Sequence, residues 1–291
     1  MEQEIKIKKN IVFGQTDKEL LTADVYMPRE GTDLPAVILI HGGAFQSGSK
    51  EMYSDWGKHL AKSGFVAMAI NYRLATATYS IWPGVMEDIQ TAVNWLVSKS
   101  HEWGIEPQRI GLIGDSAGAY LATQYSLQNL ANASFKIRAV VNVYGVYDLE
   151  KEWEYSQAMT QKFFGKSYAE AKEEYRLASP INLIEGAVSN SVFDTSYFVI
   201  WGTTDRVAQP SHSERLVEKL EKHNIDTQKL SIPNRGHFWF NLIPGLEGGT
   251  VQDSPNNEIA PLLIDFLNEK LCLPVVGNFA QSRIQTLKTL L

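Results

Sequence analysis

The stretch RIGLIGDSAGAYLA, residues 109–122, contains an apolar segment, a short turn and a segment of small residues. Its centre, Gly114-Asp115-Ser116-Ala117-Gly118, has the pattern G-x-S-x-G. The flanking residues predict a buried strand over Arg109–Gly114 and a helix over Ser116–Leu130. A serine on such a sharp strand-to-helix turn exposes its hydroxyl at the carboxyl edge of the sheet. Ser116 is therefore the candidate nucleophile, preferred over an ordinary helix-capping serine.

Outward from this stretch, apolar strands alternate with amphipathic helices. The alternation predicts an α/β fold with a mostly parallel sheet and helices on both faces. The first two strands, Glu4–Val12 and Leu21–Met27, have no helix between them, so this edge of the sheet should be antiparallel. The other predicted strands are Ala36–His41, Phe65–Asn71, Arg138–Tyr144, Tyr197–Trp201 and Thr227–Ile232, and the other predicted helices are Met52–Ser63, Val85–Ser100, His212–His223 and Ile259–Leu271.

Two segments interrupt the alternation. A long aromatic-rich insert, about residues 146–195, separates two strands, and a tail, residues 273–291, follows the last helix. Long connections in compact domains are usually functional, so a cap over the site is favoured over a long connection without a function. We therefore expect one domain over residues 1–272 that carries a cap-like insert, followed by the tail.

A second signal is His41-Gly42-Gly43-Ala44-Phe45, which directly follows a predicted strand. Adjacent glycines let backbone N–H groups turn toward a ligand without side chains in the way. Acyl transfer needs such donors to stabilise a tetrahedral oxyanion. The predicted oxyanion hole consists of the amides of Gly43 and Ala44, together with that of Ala117 after the nucleophile.

Six histidines compete for the role of general base. His212 and His223 lie on a predicted helix, where a solvated face is the simple interpretation. His237 follows the strand Thr227–Ile232, so it should lie at the carboxyl edge of the sheet with Ser116. It also comes last in the order Ser, Asp, His that this type of site uses.

Two aspartates compete for the role of the acid that orients the base. Asp205 follows the strand Tyr197–Trp201, and Asp148 follows the preceding strand. The acid accepts a hydrogen bond from the histidine ring and fixes its tautomer. Asp205 is favoured, Asp148 remains the rival, and the alternative for either is a turn aspartate that binds local backbone amides.

Composition narrows the classes of partner. The chain has 291 residues, a formal net charge of -6 and one cysteine, Cys272, so an internal disulfide is excluded and binding to nucleic acid is disfavoured. No Cys/His cluster has zinc spacing, and the predicted chemistry needs neither metal nor organic cofactor. Apolar runs are too short for a signal peptide or a membrane span, which favours a cytoplasmic protein without membrane contact. Homo-oligomerisation is left open.

The motifs together resemble the α/β-hydrolase esterases of the hormone-sensitive-lipase and feruloyl/acetyl-esterase-like branch. The resemblance covers about residues 20–270 and rests on HGGAF (41–45), NYRL (71–74), WPGVMEDIQTAVNWL (82–96), RIGLIGDSAGAYLA (109–122), RLASPINLI (176–184), WGTTDRV (201–207) and GHFWF (236–240). It implies Ser116 as nucleophile, Asp205 as acid, His237 as base and the amides of Gly43, Ala44 and Ala117 as oxyanion hole.

One departure from the family concerns the oxyanion loop. Many relatives have a third glycine where Ala44 stands. Alanine keeps its N–H, so the hole should survive, provided that the backbone there does not need a positive φ.

The sequence predicts a serine carboxylesterase, a hydrolase that cleaves short-chain acyl esters of small molecules. The predicted mechanism uses a Ser-His-Asp catalytic triad and passes through an acyl-enzyme. The alternative chemistry is hydrolysis of an amide, such as an arylformamide, or of a peptide. An alternative from another class is a catalytically silent hydrolase fold that only binds ligands.

Overall fold

A computed structural model describes residues 4–128 and 134–272 of the chain. They form an eight-stranded sheet of order β1-β2-β4-β3-β5-β6-β7-β8. The strands are β1 (Ile5–Gln15), β2 (Leu20–Pro28), β3 (Leu34–Ile40), β4 (Val66–Ile70), β5 (Ile105–Asp115), β6 (Ile137–Val143), β7 (Ser196–Gly202) and β8 (Thr227–Ile232).

The pairing of the strands confirms the predicted α/β architecture. β1 pairs with β2, and β2 with β4, in antiparallel orientation. All pairs from β4 to β8 are parallel. Since parallel strands carry their following loops to the same edge, the turns after β3, β5, β6, β7 and β8 meet at one carboxyl edge.

Helices cover both faces of this sheet. They are α1 (Ser54–Lys62), α2 (Gly84–Ser98), α3 (Ser100–Trp103), α4 (Ala117–Gln128), α5 (Leu149–Tyr155), α6 (Gln157–Phe164), α7 (Lys172–Leu177), α8 (Ile184–Val188), α9 (Pro210–Lys222) and α10 (Asn256–Leu271), with 3₁₀ turns at Lys50–Tyr53 and Pro180–Asn182. None of the helices within the described residues has the length and apolar character needed to cross a bilayer.

Alternation along the strands divides the core into two layers. In β3, Ile38 and Ile40 pack in the layer with α2, α4 and α9, while Val37 and Leu39 pack in the layer with α1 and α10. All four side chains are fully buried. A strand covered on both faces must be apolar at every position, which explains the continuous apolar runs of the sequence.

The insert between β6 and β7 forms α5 to α8 and lies on the layer of α4 and α9. It touches the loop after β3 in two places. The ring of Phe163 lies 4.4 Å from that of Phe45, and Lys162 Nζ donates to Gln46 Oε1 at 2.7 Å. The insert therefore packs against the predicted oxyanion loop. The predicted tail, 273–291, lies outside the described residues, as do the last predicted residues of the helix after Ser116, 129 and 130.

Candidate active site

Ser116 lies at the bend between β5 and α4. It has φ +52°, and its N–H donates to Val143 O at 2.9 Å. Its neighbours Asp115 and Ala117 are buried, whereas Ser116 is partly exposed. A Cβ on Gly114 would lie 2.3 Å from the backbone of Gly118, and a Cβ on Gly118 would lie 1.9 Å from Ile40 O. The two glycines are therefore needed for the close approach of strand, turn and helix.

The predicted base and acid are joined by a short hydrogen bond. His237 Nδ1 lies 2.6 Å from Asp205 Oδ2, and both side chains are almost fully buried. Because an ionised carboxylate only accepts, Nδ1 carries the proton and Nε2 is left with its lone pair. Among the described residues, His237 Nε2 has no hydrogen-bond partner.

Asp205 is itself held by its own turn. Its Oδ1 accepts the N–H groups of Val207 at 2.8 Å and Ala208 at 3.0 Å, which leaves Oδ2 for the histidine. The ring of His237 is packed between Tyr144, with ring centroids 4.2 Å apart, and Phe238, at 4.6 Å. These contacts fix the orientation of the imidazole.

The rival acid, Asp148, has other partners. It caps α5, because its Oδ1 accepts the N–H of Lys151 at 3.0 Å. Its Oδ2 accepts from Arg215 Nη1 at 2.8 Å. The structure thus brings His237 together with Asp205, and Asp148 serves the local capping role that was the alternative interpretation.

The loop after β3 places amides beside Ser116. The N–H of Gly42 donates to Asp115 Oδ1 at 2.9 Å, so that donor is occupied. Among the described residues, the N–H groups of Gly43 and Ala44 have no hydrogen-bond partner. Ala117 begins α4, so its N–H has no partner within the helix. The N–H groups of Gly43, Ala44 and Ala117 are therefore available as donors.

The sequence analysis assumed that the backbone at Ala44 does not need a positive φ, and the structure shows that it does. Ala44 has φ +53° and Phe45 has φ +64°, the left-handed region that glycine tolerates best. The alanine keeps its N–H but occupies a strained conformation. The third glycine of the relatives would relieve this strain.

Asp115 is a residue whose importance the sequence analysis missed. Its buried Oδ1 accepts from Gly42 N, from Tyr53 Oη at 2.9 Å and from Asn241 Nδ2 at 2.7 Å. Burial raises the pKa of Asp115 to about 6, against the lowering effect of these hydrogen bonds. The sequence feature that could have revealed this role is a charged residue at the end of a buried, apolar strand. Its carboxylate joins the loop after β3 to the segment after His237.

The interpretation of His212 as a solvated helix residue was wrong. His212 is buried, and its Nε2 lies 3.0 Å from Oε2 of buried Glu152 on α5. The contact joins α9 to the insert, so His212 belongs to the packing of the insert on α9. His41 is buried as well, and its ring stacks on Tyr72 with centroids 4.4 Å apart.

The fold and the arrangement at the carboxyl edge define a protein of the α/β-hydrolase class. The family model BD-FAE matches residues 23–220, more than half of the chain, and the chain belongs to this family.

Similar proteins include esterase LipC of Mycobacterium tuberculosis. It is 27% identical to this chain over 261 residues, which cover 83% of this chain and 62% of LipC. Kynurenine formamidase of Meyerozyma guilliermondii is 26% identical over 271 residues, 90% of this chain and 95% of that protein. Among solved structures, the esterase Est2 of Thermogutta terrifontis has a TM-score of 0.73 at 21% identity, with 95% of each chain covered. The chain thus spans about three fifths of LipC but nearly all of the formamidase.

Proposed function

We propose that this protein is a serine carboxylesterase with Ser116 as nucleophile, His237 as general base and Asp205 as the residue that orients His237. The observation that carries the proposal is the buried 2.6 Å bond from His237 to Asp205, which leaves Nε2 free at the edge where Ser116 lies. Membership of the BD-FAE family and the similarity to esterase LipC support it.

The proposed mechanism follows from these positions. His237 Nε2 takes the proton of Ser116 Oγ, and Oγ forms a bond to the ester carbonyl carbon. The carbonyl oxygen becomes an oxyanion held by the amides of Gly43, Ala44 and Ala117. The bond to the leaving alcohol then breaks, and His237 gives its proton to the alcohol oxygen. Water hydrolyses the acyl-enzyme by the same steps, which restores the serine.

A short acyl group is the proposed substrate feature. The oxyanion loop is backed by large buried rings: Phe45 lies 5.3 Å from Tyr120 and 4.4 Å from Phe163, measured between centroids. All three side chains are essentially inaccessible. A wall of packed aromatic rings behind the oxyanion loop favours small acyl groups over long chains.

The experiment is hydrolysis of p-nitrophenyl acetate, butyrate and octanoate by wild type and by Ser116→Ala. We expect the rate to be highest for acetate or butyrate and to vanish in the variant. Labelling with a fluorophosphonate should modify Ser116 in wild type only. Wild-type turnover by Ser116→Ala would refute the assignment of the nucleophile, and absence of both turnover and label would favour a silent fold.

A second candidate is hydrolysis of an arylformamide. It is supported by the kynurenine formamidase of Meyerozyma guilliermondii, which the chain matches over nearly its whole length. The same residues would serve, with His237 protonating an amine instead of an alcohol. Formanilide assayed beside phenyl acetate distinguishes the two, since an esterase without amidase activity hydrolyses only the acetate.

A further inference from the structure

The loop after β3, which carries two of the proposed oxyanion amides, lies directly against the nucleophile. A Cβ on Gly42 would lie 3.1 Å from the Cβ of Ser116, so the loop touches the turn that holds the serine. The following residues open toward solvent, since Gly43 is half-buried and Ala44 is exposed. A ligand can therefore reach the N–H of Ala44, which has no hydrogen-bond partner in the part of the chain that the structure describes.

The carbonyl of Gly43 belongs to the same peptide unit as this free N–H, and it accepts an unusual number of hydrogen bonds. Gly43 O accepts the N–H of Gln46 at 3.0 Å and the N–H of Ser47 at 3.0 Å. It also accepts the hydroxyl of Ser47 at 3.1 Å. A carbonyl oxygen has two lone pairs, so three donors leave it no spare acceptor capacity.

Hydrogen bonds to a peptide carbonyl change the other end of the same peptide. The amide is conjugated, so electron density drawn to the oxygen leaves the N–H more positive. Bonds linked in this way strengthen one another by about 10–30% each in condensed phases. The three bonds on Gly43 O therefore make the Ala44 N–H a stronger donor, and a stronger donor lowers the energy of an oxyanion more than that of a neutral carbonyl.

The loop also holds Ala44 on its carboxyl side. Ala44 O accepts from Gln46 Nε2 at 3.2 Å, and Gln46 Oε1 accepts from Lys162 Nζ of the insert at 2.7 Å. We propose that Ser47 is a positioning residue of the oxyanion hole. Its hydroxyl polarises and orients the peptide between Gly43 and Ala44, so that the Ala44 N–H binds the oxyanion more strongly. The proposal rests on the proposed esterase function.

The first test compares Ser47→Ala with Ser47→Thr, which keeps the hydroxyl at this exposed position. Removal of a whole oxyanion donor lowers kcat roughly a hundred- to a thousandfold. Loss of about a fifth of that donor's free energy then lowers the rate about threefold. Ser47→Ala should therefore lower kcat/KM for p-nitrophenyl acetate about threefold, and Ser47→Thr should restore the wild-type value. Both variants keep the two backbone N–H groups on Gly43 O.

Ser63→Ala is the matched control. Ser63 Oγ donates to His59 O at 2.9 Å, again a bond to the carbonyl four residues earlier. Ser63 follows α1 and precedes β4, so it lies at the amino edge of the parallel strands, opposite the candidate site. This variant loses the same kind of hydrogen bond and should keep the wild-type kcat/KM.

Two ketones separate an effect on the oxyanion from a general loosening of the loop. In trifluoromethyl butyl ketone, Ser116 Oγ forms a bond to the carbonyl carbon, the carbonyl oxygen becomes an oxyanion, and the proton of Oγ passes to His237. Methyl butyl ketone is less electrophilic and binds as the neutral ketone. Ser47→Ala should raise the inhibition constant of the trifluoromethyl ketone about threefold and leave that of the methyl ketone unchanged.

The outcomes distinguish this proposal from the esterase proposal. A wild type that neither hydrolyses the ester nor binds the trifluoromethyl ketone more tightly than the methyl ketone would overturn both. With an active wild type, unchanged kcat/KM in Ser47→Ala, a rate that Ser47→Thr does not restore, or equal weakening of the two ketones would overturn the role of Ser47 alone.

Discussion

Replacement of Asp115 by asparagine should change how the stability of the fold depends on pH. Burial raises the pKa of Asp115 from 3.8 to about 6 in the folded protein. Between these two values the folded chain holds a proton that the unfolded chain has released. The contribution of Asp115 to the free energy of unfolding therefore falls as the pH rises from about 4 to about 6.

The size of the effect follows from the shift. About two pKa units correspond to roughly 3 kcal/mol of stability lost by wild type across this window. Asp115→Asn has no such proton, so its free energy of unfolding relative to wild type should rise by about 3 kcal/mol between pH 4 and pH 7. The amide oxygen still faces Gly42 N–H, and any loss in the strength of its hydrogen bonds is a constant offset.

The assay is urea unfolding at several pH values, followed by the fluorescence of the seven tryptophans. The comparison must be made between variants, because burial lowers the pKa of His41 to about 4 and gives wild type an opposite slope in the same range. That slope is common to both proteins and cancels in the difference. Asp253→Asn is the control: hydrogen bonds from Thr250 lower the pKa of Asp253 from its ordinary 3.8, so its stability difference from wild type should stay nearly constant between pH 4 and pH 7. Parallel stability curves for Asp115→Asn and wild type would refute the reasoning.

Three further outcomes are expected. Asp205→Asn should lower kcat/KM for ester hydrolysis by roughly a thousandfold or more, because the tautomer of His237 is no longer fixed. Asp148→Asn should change kcat/KM less than about threefold. The reverse ranking of the two variants would assign the acid to Asp148. Ala44→Gly should raise the free energy of unfolding by about 0.5 kcal/mol, because glycine tolerates the positive φ at this position. The same change at Ala158, which is helical and exposed, should lower the free energy of unfolding by about 0.8 kcal/mol. If denaturant titrations gave changes of the same sign for the two variants, the argument would be contradicted. Phe163→Ala should raise the rate for butyrate relative to acetate, because the ring that backs Phe45 is removed, and a common factor for all acyl esters would remove the insert from substrate choice.

The sheet was predictable because its central strands are covered on both faces. Burial on both faces makes β3 and β4 continuous apolar runs and leaves mostly apolar residues in the buried parts of β5, β6 and β7, so the positions of these strands follow from the pattern. Ser116 and Asp205, the candidates for nucleophile and acid, follow two of these strands, β5 and β7, whereas His237 follows β8, a strand whose residues are all at least partly exposed. The hydrogen bond between His237 and Asp205 joins residues 32 positions apart, and the parallel sheet is what brings them to one edge.

Contacts between segments that lie far apart in the chain could not be predicted from the sequence pattern. His212 has the helical position of a surface residue, but its ring contacts the N–H of Tyr147 and the carboxylate of Glu152, both in the insert and 65 and 60 positions away. Arg235 and Ser254 belong to separate loops whose approach no periodicity encodes. Asp115 could have been noticed as a charge at the end of a buried strand, but its three donors come from segments as far apart as Gly42 and Asn241.

Backbone strain concentrates at the carboxyl edge and was also invisible in the pattern. Nine non-glycine residues of the described chain have positive φ, and four of them are Asn or Asp, which tolerate it. The other five are Ala44, Phe45, Ser116, Tyr144 and Phe238, and all five stand on loops after strands at the edge that carries the candidate site. Such conformations cost of order 1 kcal/mol each and persist only where the surroundings enforce them. For Ala44, Phe45, Ser116 and Tyr144 the buried carboxyl ends of β3, β5 and β6 and the hydrogen bonds of Asp115 supply that enforcement. The imidazole of His237 is held instead by Asp205 and by the ring of Tyr144.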